Sequence, residues 1–346
     1  MAKALICLVL LISLGCKPDK NSLVSKPTSS EQPEGMAYIP GATYNQGGKT
    51  DQAYNNELPQ HKVTVSSFYI DVTEVTNLQF AEFVTATQYK TVAERPLEWE
   101  VLKKQLPPGT PALADSILQP GSLVFKKTDT PVDLRRYDLW WEWTRGAEWR
   151  HPDGPISDIS DKMNHPVVHI AYQDAKNYCE WKNKRLPTEA EWEWAATGGE
   201  DLSKYPWGNA EISTAYDKAN FWQGLFPYEN TVKDGYASTA PVKSFPPNSF
   251  GLFDMGGNVW EWCSDRFASQ YYRTLSEPQI NPKGPEVARD ENDPYNQNSY
   301  VIKGGSFLCN DDYCSGYRVA RRLGKDADSG SNHTGFRCVM EIKLTE

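Results

Sequence analysis

The chain has 346 residues, a formal charge of −9 and an aromatic load of 12 Trp, 18 Tyr and 12 Phe, beside 24 Gly and 24 Pro. That length allows a sizeable core, and the mixture predicts much ordered loop and turn, with large rings filling the interior in place of long helices. No Lys/Arg block stands out from the acidic balance, which argues against a nucleic-acid groove and against electrostatic docking on anionic lipid.

Met1-Ala2-Lys3 carries one positive charge and is followed by an apolar run, Ala4 to Leu14, that ends in Gly15-Cys16. A bilayer span needs about 20 apolar residues, so this run is too short for one and has the length of a signal-peptide core. A small residue directly before Cys resembles the end of a bacterial lipoprotein signal: residues 1–15 are cut away and Cys16 is lipidated. This predicts a chain anchored in a bacterial cell envelope through its lipid alone, facing the periplasm or the surface. An ordinary cleaved signal is the alternative. Residues 16–34, rich in Lys, Ser, Pro and Glu, read as a flexible tether. Export permits disulfides. Of the seven cysteines, Cys7 leaves with the signal and Cys16 takes the lipid. Cys179, Cys263, Cys309, Cys314 and Cys338 remain, an odd number, so at least one thiol lacks an intramolecular disulfide partner.

From Gly35 the pattern changes. Met36 to Tyr44 and Lys62 to Asp71 alternate and are β-branched, which predicts short strands separated by a polar loop. Thr76 to Thr87 predicts a helix that turns Phe80 and Phe83 inward. Residues 96–155 give no clear element; they hold several prolines and the cluster Leu139-Trp140-Trp141-Glu142-Trp143. Tyr172 to Trp181 and Thr188 to Ala196 predict two helices, the second opened by a capping box, Thr188-Glu189-Ala190-Glu191. Beyond Gly198 turns, glycines and short strands dominate. Residues 35–346 read as one continuous domain without a linker-like break.

Three blocks carry the chemistry: Lys184-Arg-Leu-Pro-Thr-Glu-Ala-Glu-Trp-Glu-Trp-Ala195, then Asn248-Ser-Phe-Gly-Leu-Phe-Asp-Met-Gly-Gly-Asn-Val-Trp-Glu-Trp-Cys263, then Lys303-Gly-Gly-Ser-Phe-Leu-Cys-Asn-Asp-Asp-Tyr-Cys314. On a straight strand Cys309 and Cys314 would stand about 16 Å apart, so their sulfurs meet only if the segment turns. Gly304, Gly305 and Gly316 permit that. Two readings are open: a structural disulfide closing a surface loop, or a pair of thiolates for a soft, low-coordinate ion such as Cu(I). Zinc fits poorly, since a structural site takes about four N/S ligands.

Together with Gly335-Phe-Arg-Cys338, Trp149-Arg-His-Pro-Asp-Gly-Pro155 and Ala219-Asn-Phe-Trp-Gln-Gly224, these blocks closely resemble the formylglycine-generating enzyme (sulfatase-modifying factor) family. The resemblance implies a single α+β domain of the formylglycine-generating-enzyme fold, related to C-type lectins and low in regular secondary structure. It implies an oxidase that converts the cysteine of a Cys-x-Pro-x-Arg motif, in an unfolded sulfatase polypeptide, to Cα-formylglycine. Cys309 and Cys314 would hold Cu(I), O2 would be co-substrate, and Ser306 and Trp260 would line the pocket. Asp311 and Asp312 are candidates to meet the client Arg.

The resemblance also implies two structural Ca2+ sites, one drawing on Asn220, Phe221, Asp234 and Tyr236, the other on Asp254, Gly257, Val259 and Glu261. Hard oxygen ligands suit Ca2+, and turn-forming Asx residues are the bland alternative. The family more often has Asn where Asp254 stands. Cys179 and Cys338 match a family disulfide. Ala196 and Val319 occupy both positions of a second bridge found in vertebrate members, and Cys263 is left as a buried, inert thiol. The chain is expected to be a monomer. A non-catalytic envelope lipoprotein of the same fold is the alternative function, and a carbohydrate-binding module using Trp140 to Trp143 is a third reading.

Overall fold

Both predicted strand stretches break in the middle. In the computed structural model, which describes residues 32–342 apart from 50–51, 202, 277 and 292–296, the first yields β1 (Met36–Ile39) and β2 (Ala42–Gln46). The second yields β3 (His61–Val65) and β4 (Phe68–Asp71). Pro40-Gly41 and Ser66-Ser67 redirect the chain, so β1 pairs antiparallel with β4 while β2 pairs antiparallel with β3. The signal run, Cys16 and nearly all of the tether lie outside the described residues.

Helix α1 (Asn77–Thr87) begins where its sequence predicts. Thr76 Oγ1 accepts from the Gln79 amide, the Gln79 side chain accepts from the Thr76 amide, and Phe80 and Phe83 are buried with ring centroids 5.4 Å apart. The stretch without a clear element contains a short helix, α2 (Trp99–Leu102), and an antiparallel hairpin of β5 (Gly121–Phe125) and β6 (Trp141–Arg145). Helices α3 (Tyr172–Trp181) and α4 (Glu189–Ala196) follow as predicted, the second capped by Thr188 and Glu191. Then come β7 (Trp260–Arg266), the one-turn α5 (Tyr271–Thr274), β8 (Gln279–Ile280) and β9 (Ser299–Lys303). The chain closes with β10 (Leu323–Asp326), β11 (Thr334–Gly335) and β12 (Val339–Glu341).

Strand order is β1-β4-β12 in one sheet, β2-β3-β8 in a second and β10-β9-β7-β11 in a third. The last strand, β12, therefore pairs with β4, whose other edge carries β1, tying both ends of the domain together. Cys179 on α3 is bridged to Cys338 just before β12, with Cα atoms 6.0 Å apart. Ala196 and Val319 are buried in one apolar cluster, and Cys263 is a buried free thiol that burial pushes well above its ordinary pKa. Trp140 is a core residue: it is 1 % exposed and packs edge-on against Phe226 at 5.7 Å.

Acid–base pairs cross this interior. Arg337 grips Glu261 through two hydrogen bonds of 2.7 Å, Arg322 grips Glu189, and Arg318 grips Glu57. All six side chains are buried. Each charge is offset by a partner, and removal of one member would leave the other uncompensated in a poor solvent for ions.

Candidate active site around Cys309 and Cys314

Strand β9 delivers the chain into the cysteine loop. Gly304 and Gly305 have φ of +90° and +74°, a region that L side chains rarely adopt. A Cβ on Gly316 would lie 2.6 Å from the Gly305 Cα and 2.7 Å from both Cys309 Sγ and Trp260. The two ends of the loop touch because neither glycine has a side chain. Between them the Asn310 carbonyl accepts from the Cys314 and Ser315 amides, and the Asn310 side chain accepts from the Tyr313 amide. The turn brings the cysteine Cα atoms to 5.3 Å, and the sulfurs are joined as a disulfide. The sulfurs do converge, but in this oxidised state they offer no thiolate to a metal.

Cys309 and Cys314 form part of the wall of a cavity of about 220 Å³, together with Ser306 and Trp260. The four residues come from two elements only: Trp260 opens β7, and the other three follow the adjacent β9. The Leu308 amide donates to Ser306 Oγ at 3.3 Å, and that hydroxyl lies 3.1 Å from Nδ1 of His333. His333 packs edge-on against Trp141 at 4.8 Å. Burial, with Lys325 and His169 nearby, holds its imidazole well below the ordinary histidine range, so the ring is neutral at pH 7 and, with its proton on Nε2, Nδ1 accepts a hydrogen bond from the Ser306 hydroxyl.

Lys325 on β10 lines the same cavity, its Nζ donating to Ser331 Oγ at 3.3 Å. Burial pulls its pKa down to about 8. Sequence reasoning missed both residues. His333 stands only two positions before Gly335-Phe-Arg-Cys338 and could have been noticed there; Lys325 lies in a stretch without any motif. Asp311 and Asp312 do not face this cavity. They border a separate one of about 320 Å³, and Asp311 Oδ1 accepts from the Tyr317 hydroxyl at 2.8 Å.

The residues expected to hold calcium form two neighbouring groups. In the first, the Asp234 carboxylate accepts from the Phe221 and Tyr236 amides, each at 3.0 Å. In the second, Asp254 Oδ2 accepts from the Lys243 amide at 2.9 Å, and Glu261 is gripped by Arg337 and by the Trp192 indole. Asn258 Oδ1 accepts from the Asn220 side chain at 3.2 Å, which links the groups. Asn220 Oδ1 and Asp254 Oδ1 are each buried without a hydrogen-bond partner, one in either group. An orphaned acceptor is costly unless something satisfies it, and a hard cation would do so. Glu74, which sequence reasoning also missed, leaves its Oε2 buried and unpartnered; burial and then the neighbouring Asp254 push its carboxyl well above the usual range. No cluster of three or more His, Cys, Asp or Glu side chains poised for a metal is present among the described residues, so backbone carbonyls would have to complete either shell.

Fold and site together define an α+β domain of modest helical content, with a cavity that has a disulfide-bonded pair of cysteines, five residues apart, in its wall. The pattern of the sulfatase-modifying factor enzyme 1-like domain matches residues 21–342. Formylglycine-generating enzyme of Mycobacterium tuberculosis is 46% identical over 303 residues, covering 88% of this chain and 96% of that one. Its counterpart in Thermomonospora curvata is 42% identical over 322 residues, covering 92% and 97%. Inactive C-alpha-formylglycine-generating enzyme 2 of Bos taurus is 36% identical over 306 residues, covering 88% and 87%. PvdO from Pseudomonas aeruginosa has a similar fold, with a TM-score of 0.58 at 23% identity over 89% of this chain and 94% of that one. The chain belongs to the formylglycine-generating enzyme family.

Proposed function

We propose that this chain oxidises a cysteine in a Cys-x-Pro-x-Arg segment of an unfolded sulfatase to Cα-formylglycine, using Cu(I) on Cys309 and Cys314 and O2 as co-substrate. Relatives named formylglycine-generating enzyme support the general reaction. A relative named inactive shares the family, so membership alone does not decide activity. One observation carries the proposal: two cysteines meet in the wall of a cavity that also holds Ser306 and Trp260.

The donor set fits a soft ion once the bridge is reduced, because a pair of thiolates suits low-coordinate Cu(I). Bound there, copper would supply a landing point for the client sulfur and a means to activate O2. The remaining work falls to the protein. Trp260, Trp141 and Phe226 wall the cavity with apolar surface and exclude water. Ser306, held by Leu308 and His333, offers a fixed hydroxyl. Redox balance needs an external thiol twice over. Two electrons and two protons open the Cys309–Cys314 bridge. In each turnover the client thiol, O2 and two thiol equivalents would give the aldehyde, sulfide, one water and one disulfide.

Calcium is proposed as a structural ion near Asn220, Phe221, Asp234 and Tyr236, and near Asp254, Gly257, Val259 and Glu261. Lipidation of Cys16, attachment to the cell envelope and a monomeric state complete the reading. The alternative, a non-catalytic envelope lipoprotein, draws on the disulfide between Cys309 and Cys314, which a purely structural loop would also contain. The test incubates residues 32–346 with Cu(I), O2, a thiol reductant and a client peptide, and follows aldehyde by mass spectrometry. Aldehyde in wild type, absent in Cys309→Ser and Cys314→Ser, is the expected result. Full turnover in either variant would remove the copper assignment. A wild-type protein that makes no aldehyde and keeps its bridge in excess reductant would favour the lipoprotein.

A further inference from the structure

The cavity beside the cysteines is walled mostly by apolar and aromatic side chains, and among the described residues no carboxylate lines it. Outside the cysteine pair, its titratable members are Tyr313, His333 and Lys325. A client cysteine entering this space carries a proton, and its sulfur must lose that proton to become a soft ligand. A thiolate among aromatic walls is also a buried charge that needs a partner.

Elimination leaves one acceptor. Burial raises the Tyr313 phenol, which therefore keeps its own proton at neutral pH. The His333 Nδ1 already faces the Ser306 hydroxyl, and burial disfavours the imidazolium. Lys325 projects from β10 with Ser331 Oγ as its hydrogen-bond partner at 3.3 Å. The groups around it are Asp326 on its own strand, Tyr300 opposite it on β9, and the neutral rings of His333 and His169. Burial brings its pKa down to about 8, so a usable fraction of the amine is unprotonated near neutrality.

We propose, resting on the function inferred above, that Lys325 accepts the proton of the client thiol. The S–H bond breaks, an N–H bond forms at Nζ, and the electron pair stays on sulfur. The ammonium then remains in the cavity as the counter-charge of the thiolate.

The experiment measures kcat/KM for aldehyde formation by wild type, Lys325→Met and Lys325→Arg, with a cysteine client peptide, from pH 6.5 to 9.5. A lost general base costs about 100-fold or more, and a free thiol ionises by itself near pH 8.5. Lys325→Met should therefore be about 100-fold slow at pH 7 and within a few fold of wild type at pH 9.5. Lys325→Arg, a permanent cation that cannot take a proton, should show the same recovery at high pH. A deficit that stays constant across this range marks a structural role and overturns the proposal. So does a Lys325→Met variant with more than half of wild-type activity at pH 7. Failure of wild type itself to turn over condemns the functional reading instead.

Discussion

Replacing each disulfide in turn by a pair of alanines separates structural from functional sulfur. The bridge between Cys179 and Cys338 joins residues 159 apart in sequence, whereas that between Cys309 and Cys314 joins residues five apart. All four cysteines are buried, so the area lost on substitution is similar. Loop closure is not. Cross-linking the long loop removes enough freedom from the unfolded chain to stabilise the fold by about 5 kcal/mol, against about 2 kcal/mol for the short one. Urea unfolding of the oxidised protein and of Cys179→Ala/Cys338→Ala and Cys309→Ala/Cys314→Ala measures both. The long-bridge variant should lose about 3 kcal/mol more than the short-bridge variant, by the same loop-length relation. The short-bridge variant should stay folded at 25 °C yet bind no Cu(I). If the short-bridge variant is the less stable of the two, the loop between Cys309 and Cys314 is a structural clamp and the reasoning fails.

Trp140→Ala should cost about 3–5 kcal/mol in chemical denaturation, because an almost wholly buried indole leaves a cavity among Phe226 and Tyr313. A cost below 1 kcal/mol would return Trp140 to the surface. Burial holds His169 down at about 4 against an ordinary 6.5, so the unfolded chain binds the extra proton first. Stability should fall as pH drops from about 6.5 toward about 4, by about 3 kcal/mol for this group. The stability lost between those pH values should be smaller by about 3 kcal/mol in His169→Asn, a residue that tolerates the φ of +61° found there. Millimolar Ca2+ should raise the Tm of chelator-treated protein, and Asn220→Ala with Asp254→Ala should abolish the rise, because each removes one orphaned oxygen. An unchanged Tm in wild type would show that those oxygens have another partner.

Local elements were legible wherever the signal was itself local. The capping box at Thr188 marks the start of α4 because cap and helix lie within one turn. The hairpin of β5 and β6 was not legible: its strands are 15 residues apart across a proline-bearing loop, and Trp141 and Trp143 read as part of an aromatic run, not as alternation. The division of the first two strand stretches between different sheets was equally hidden, since partner choice depends on β8 and β12, far along the chain.

By itself, the sequence determined which residues could do chemistry: the spacing of Cys309 and Cys314 with glycines on either side demanded a turn, and the motif blocks named the family. Tertiary structure alone decided what surrounds those sulfurs. His333 reaches Ser306 because β11 runs parallel to β7, and Lys325 reaches the cavity because β10 pairs with β9. It likewise set Asp311 and Asp312 against another cavity. Spacing within a segment constrains where its own side chains can meet; the charge, burial and donors that a site receives come from segments brought alongside by the sheet, and only folding specifies those.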